Sequence, residues 1–71
     1  MPKRKLYNVA KRYVQVIEQM ERTSDPQHLV DLEEERGIWH DRMLRILRRE
    51  GIPFKDRDHV TRIAFHIARG D

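Results

Sequence analysis

The twenty-seven residues Asp25–Gly51, DPQHLVDLEEERGIWHDRMLRILRREG, constrain the fold more than any other part of this 71-residue chain. Both ends carry helix punctuation. Asp25 is a residue whose carboxylate accepts bonds from the orphan N–H groups of a first helical turn, and Pro26 has the φ that a first helical position needs. Gly51 can close a helix in the left-handed region, and Pro53 forbids its continuation. Between them, Asp31, Glu33, Glu34 and Glu35 fill the first half, while Arg42, Arg45, Arg48 and Arg49 fill the second. Acids near a helix N-terminus and bases near its C-terminus each contribute roughly 0.3–1 kcal/mol against the macrodipole. At 100° per residue, Leu29, Leu32, Trp39, Met43, Ile46 and Leu47 fall on one arc. Gly37 is the weak point, costing about 1 kcal/mol relative to Ala inside a helix. One helix over 26–50 is expected, the competing possibility being a break at Gly37 with Asp41 restarting it.

Leu6, Val9, Ala10, Tyr13, Val16, Ile17 and Met20 recur at helical spacing and predict a first helix over 6–22, with residues 1–5 (MPKRK) as a flexible basic tail. Thr23-Ser24-Asp25-Pro26 is turn chemistry joined to a cap, so the two helices should fold back as an antiparallel hairpin. After the turn, Asp56 or Asp58 caps a third helix over 57–69, with Val60, Ile63, Ala64, Ile67 and Ala68 inward and Gly70 closing it. Ile52 and Phe54 should cover the open end of the hairpin. The expected fold is all-α: one domain over 1–71, an antiparallel helical hairpin with a short third helix packed across it.

Antiparallel pairing about this turn makes facing residue numbers sum to about 49. Ile17 then faces Leu32, Ala10 faces Trp39, and Tyr13 faces Arg36. An arginine in an apolar seam survives if its guanidinium stacks on the ring while Glu33 accepts from it, so Tyr13, Glu33 and Arg36 are expected to form a structural polar seam. Tyr7 and Val14 widen the apolar arc of the first helix to about half its circumference. An arc that wide asks for two neighbours, for which the third helix and a second chain are the candidates; Tyr7 and Val14 are the expected self-association residues of a homodimer or small homo-oligomer.

Charge separates along the hairpin. Residues 1–12, 41–50 and 51–57 carry +5, +2 and +1, and the fold gathers them at one pole; residues 13–40 carry −5, leaving the chain at +3. Lys3, Arg4, Lys5, Lys11, Arg12, Arg42, Arg45, Arg48 and Arg49 are therefore candidate partner-binding residues. Arg62, Phe65 and Arg69 form a second candidate surface on the third helix, an aromatic between flexible cations. A basic pole calls for an acidic protein partner or a nucleic acid. Leu44–Ile67 can be drawn as helix-turn-helix, but its turn is long and the reading surface has two bases and no Asn or Gln.

Other chemistry finds little footing. There is no cysteine, so neither a disulfide framework nor a thiolate site is available. His28, Asp31 and Glu35 share a helical side and could be joined by Glu18 or Glu21, yet that side is a charged, solvated face; no metal and no cofactor is expected. Thr23, Ser24 and Thr61 lack an evident base and orienter, so no catalytic residue is assigned. No run could span a bilayer and the N-terminus lacks a signal-peptide core, which sets the expectation of a cytoplasmic protein without membrane contact. The expected function is a non-enzymatic regulatory or adaptor module, self-associating, that binds an acidic protein through its basic pole. Phosphate-directed nucleic-acid binding by the same pole is the alternative.

Overall fold

The computed structural model describes the backbone of residues 2–70 and the side chains of 4–70. Three helices follow in order: α1 (Pro2–Arg22), α2 (Pro26–Glu50) and α3 (Arg57–Arg69). α1 and α2 pair as the hairpin, and α3 packs across them, chiefly against α1. At 1.5 Å per residue α2 is about 37 Å long, which accounts for the 37 Å long dimension of a molecule only 20 × 19 Å across.

Local chemistry explains each boundary. The Asp25 carboxylate accepts from the Gln27 N–H at 3.1 Å, and Pro26 opens the helix. Gly51, at φ 71°, ends α2 with its N–H directed to the Arg48 and Leu47 carbonyls, and Ile52 N–H reaches Leu47 O at 2.9 Å. That left-handed residue and the Ile52–Leu47 bond, which spans five residues, form the helix-closing arrangement that glycine makes cheap. Asp56 caps α3 by accepting from His59 N–H at 2.9 Å. Gly37 does not interrupt α2, because a glycine in an otherwise well-supported helix lowers stability without changing the path.

One boundary differs from expectation. α1 starts at Pro2 rather than Leu6, so residues 2–5 are a helical turn and not a loose tail. Apolar periodicity begins at Leu6, but proline suits a first helical position and Lys and Arg are good helix formers. The three cations of that turn nevertheless oppose the macrodipole, since no acid accompanies them.

The core gathers where all three helices meet. Leu6, Val9, Ala10, Tyr13 and Val14 of α1 join Met43, Ile46 and Leu47 of α2 and Val60 and Ala64 of α3 in one buried cluster. Ile52 and Phe54 pack on it from the turn, closing the hairpin's open end. Tyr13 is wholly buried, and its hydroxyl lies 3.1 Å from Thr61 Oγ1, which in turn donates to the Arg57 carbonyl at 3.1 Å. A polar tip inside an apolar cluster is thereby satisfied, and it pins α3 to α1 at one register.

Tyr13 also revises the pairing of the hairpin. Its ring meets His40 edge-on, with centroids 6.0 Å apart, instead of carrying the Arg36 guanidinium. Arg36 turns to Glu33 at 3.8 Å, a loose pair, and its buried Nε has no partner. Helical side chains lean toward their own N-terminus. In an antiparallel pair that lean carries Tyr13 toward higher numbers on α2 and carries His40 back to meet it, one turn beyond the position that backbone register alone selects. The expected stack is therefore replaced by two separate contacts, Tyr13 with His40 and Arg36 with the exposed Glu33.

Candidate functional site

The antiparallel hairpin brings the first turns of α1 against the last turns of α2. There Lys5 and Val9 from α1 and Arg42, Arg45, Ile46 and Arg49 from α2 line a groove of about 310 Å³. Val9 and Ile46 are buried and form its floor, while the four cations are exposed and form its walls. Helical spacing explains the set: Arg42, Arg45 and Arg49 recur every three or four residues, so they rise along one edge of α2 beside the inward Ile46.

Trp39, one turn before Arg42 on α2, is joined to the groove wall through that residue. It is half-buried, with the Arg42 guanidinium carbon 4.6 Å and the Arg12 carbon 5.7 Å from its ring centroid. Guanidinium stacked on indole is held in a defined plane, which lowers the ordering cost when its N–H fork meets a carboxylate or phosphate. Among the described residues, none of Lys5, Arg42, Arg45 and Arg49 is ion-paired with an acid; the ion pair present is Arg36–Glu33. Like charges at about 10 Å repel by ~0.4 kcal/mol in water, so an incoming anion relieves several small repulsions at once.

The other cations expected at this pole divide by neighbour. Lys11 is beside Tyr7, its Nζ 5.8 Å from the ring centroid, and Arg48 lies over Phe54 at 5.9 Å. Arg4 is exposed on the first turn, and the Lys3 side chain lies outside the described residues. The α3 surface also splits. Phe65 is half-buried against the core with Arg69 at 5.2 Å from its ring, so it is not the free anchor that the sequence suggested. Arg62 instead belongs to a separate groove of about 520 Å³ lined by Ile52, His59, Ile63, His66 and Ile67.

Val14 is buried in the chain's own core at 8% exposure, which removes it from any surface, whereas Tyr7 stays open at 38%. α3 supplies the second neighbour that the wide apolar arc of α1 required. The larger exposures are elsewhere, 53% at both Val30 and Ile38 on α2. Among the described residues no three His, Asp or Glu side chains gather at metal-binding distance, so His28, Asp31 and Glu35 do not converge.

His40 is held below the ordinary histidine pKa, first by burial and then by the nearby positive charges of Arg57 and Arg36, with Asp41 opposing. Its Nε2 is buried without a partner. Burial and the two guanidinium groups thus favour the neutral imidazole, which stands edge-on to Tyr13.

Trp39 packs against the core, as its place on the apolar arc predicts, and its further role in holding Arg12 and Arg42 is what the sequence reading missed. The signal was present in Trp39-x-x-Arg42, a spacing that sets a cation over a ring on one helical side. No helix among the described residues is long and apolar enough to cross a membrane. Comparison with protein families, with curated proteins and with solved structures finds no match to this chain.

Proposed function

We propose that the protein is a non-enzymatic regulatory or adaptor module, cytoplasmic in setting, that docks an acidic protein segment in the groove between α1 and α2. The observation that carries this reading is the pairing of an apolar floor, Val9 and Ile46, with four cations that have no acid partner among the described residues. A peptide alternating carboxylates with an aliphatic side chain would use both features. The volume is at the small end for ligand sites, which run roughly 300–1,000 Å³, and suits one anchoring side chain better than a metabolite. No hydroxyl is set up for nucleophilic work on the third helix, since Thr61 is committed to Tyr13 and the Arg57 carbonyl.

Nucleic acid is the competing partner, because phosphates would meet the same cations. Against it, the Trp39 ring already carries the chain's own Arg12 and Arg42 and offers less to an unstacked base. The chain has a single tryptophan, whose ring carries the Arg42 guanidinium of the groove wall, so its fluorescence reports occupancy. Titration with a Glu/Leu peptide should change Trp39 emission saturably, and the affinity should fall only moderately with salt. Random DNA or RNA should bind more weakly than the peptide at physiological salt. Tight binding of DNA or RNA, falling steeply with log salt and with no peptide response, would transfer the groove to the nucleic-acid reading.

A further inference from the structure

Two surfaces outside that groove are matched to each other. The first lies on the outer side of α2, where Val30 and Ile38 each stand 53% exposed. They are eight residues apart, about 12 Å along the helix axis, and Glu34 stands between them on the same side. Asp31, Glu33 and Asp41 surround them, all exposed. The second is the groove on α3. Ile52, Ile63 and Ile67 are half-buried there, so their remaining surface faces solvent, and His59, Arg62 and His66 rim it.

One surface is apolar and framed by acids; the other is apolar and framed by a guanidinium and two imidazoles. His59 is oriented for this role. Its Nδ1 accepts from the Lys55 N–H at 3.0 Å, so in the neutral ring the proton resides on Nε2, the remaining nitrogen that can donate. The groove of α1 and α2 is a poorer match for Val30 and Ile38. Its apolar floor is Val9 and Ile46 alone, against three isoleucines in the α3 groove, so it suits one aliphatic side chain better than the Val30–Ile38 pair.

We propose that the occupant of the α3 groove is a second copy of this chain, inserting the Val30–Ile38 side of α2, with Glu34 and its acidic neighbours set against Arg62, His59 and His66. The two surfaces are different, so a single contact pairs unlike faces. It closes if each copy fills the other's groove and otherwise propagates. It uses neither Tyr7 nor Val14, and it leaves the walls of the α1/α2 groove free for an acidic partner.

The test is sedimentation equilibrium of the full chain from micromolar to millimolar concentration at low salt. The wild type should show mass rising with concentration and falling back as salt is added. Ile38→Glu spoils the inserted side and Arg62→Glu spoils the rim; both positions are exposed, and circular dichroism should show helicity retained. Each variant alone should lose the association. Mixed in equal amounts they should regain a dimer, because one keeps an intact groove and the other an intact α2 side. A wild type that stays monomeric to millimolar concentration overturns the proposal. So does an Ile38→Glu chain that associates like wild type, or a mixture that remains monomeric. Association abolished by Tyr7→Glu but indifferent to Ile38→Glu would also overturn it, locating the contact on α1.

Discussion

The two ends of the hairpin are built differently. At the end where α3 crosses, Met43 and Leu47 of α2 are wholly buried among side chains from all three helices. At the end near the Thr23–Asp25 turn, α2 has Leu32 buried and Leu29 half-buried, with α1 alone to pack on. The acids cluster at the thin end and the bases at the thick one. Packing that is dense enough to hold structure can tolerate unpaired like charge on its surface, because hydrophobic burial outweighs repulsions of a few tenths of a kcal/mol. The groove therefore stands on the most stable part of the molecule, and the thin end is free to be a solvated acidic surface.

Leu47→Ala is the severest way to break this contrast. Truncating a fully buried leucine in a three-helix core should cost about 3–5 kcal/mol, enough to unfold much of a chain this small, as read by urea denaturation. Leu32→Ala at the two-helix end should cost less, about 2–3 kcal/mol, because neighbours there can relax into the space. Equal costs would erase the distinction between the ends. Amide exchange sharpens it without mutation: protection should be greater over Leu44–Leu47 than over Leu29–Leu32.

Gly37→Ala, near the middle of α2, should stabilise the fold by about 1 kcal/mol. The helix runs through this position unbroken, and an added Cβ would meet nothing within 4 Å. Tyr13→Phe should cost about 0.5–1.5 kcal/mol, a modest loss, because Thr61 keeps its bond to the Arg57 carbonyl. The smallest effect concerns His40, whose folded pKa lies below the unfolded value near 6.5. The unfolded chain therefore binds this proton more readily. The His40 contribution to stability is fully present above about pH 6.5 and is lost as pH falls toward the folded value. His40→Gln should flatten that part of the pH–stability curve relative to wild type.

The fold was legible because its signals are local. Caps at Asp25 and Asp56, stops at Gly51 and Gly70, and clean apolar periods placed α2 and α3 at their observed limits. α1 was shortened because periodicity registers apolar residues and not the helix-compatible cations before them. The site was legible at the level of charge: a hairpin had to gather bases at one end. Which bases line a groove was not, since that depends on side-chain lean and on the ring each cation selects. Lys11 went to Tyr7, Arg48 to Phe54 and Arg42 to Trp39. Val14 was misassigned for a related reason, because a helical wheel shows how wide an apolar arc is but not which neighbour covers it.

Chemical-shift mapping of the isotopically labelled chain with a Glu/Leu peptide shows whether the α1/α2 groove is where an acidic segment binds. The account predicts saturable shifts concentrated on Lys5, Val9, Arg12, the Trp39 indole, Arg42, Arg45, Ile46 and Arg49, and their loss in Arg42→Glu/Arg45→Glu with the fold retained. Shifts confined to other surfaces, or a peptide that leaves the spectrum unchanged at low salt, would contradict it.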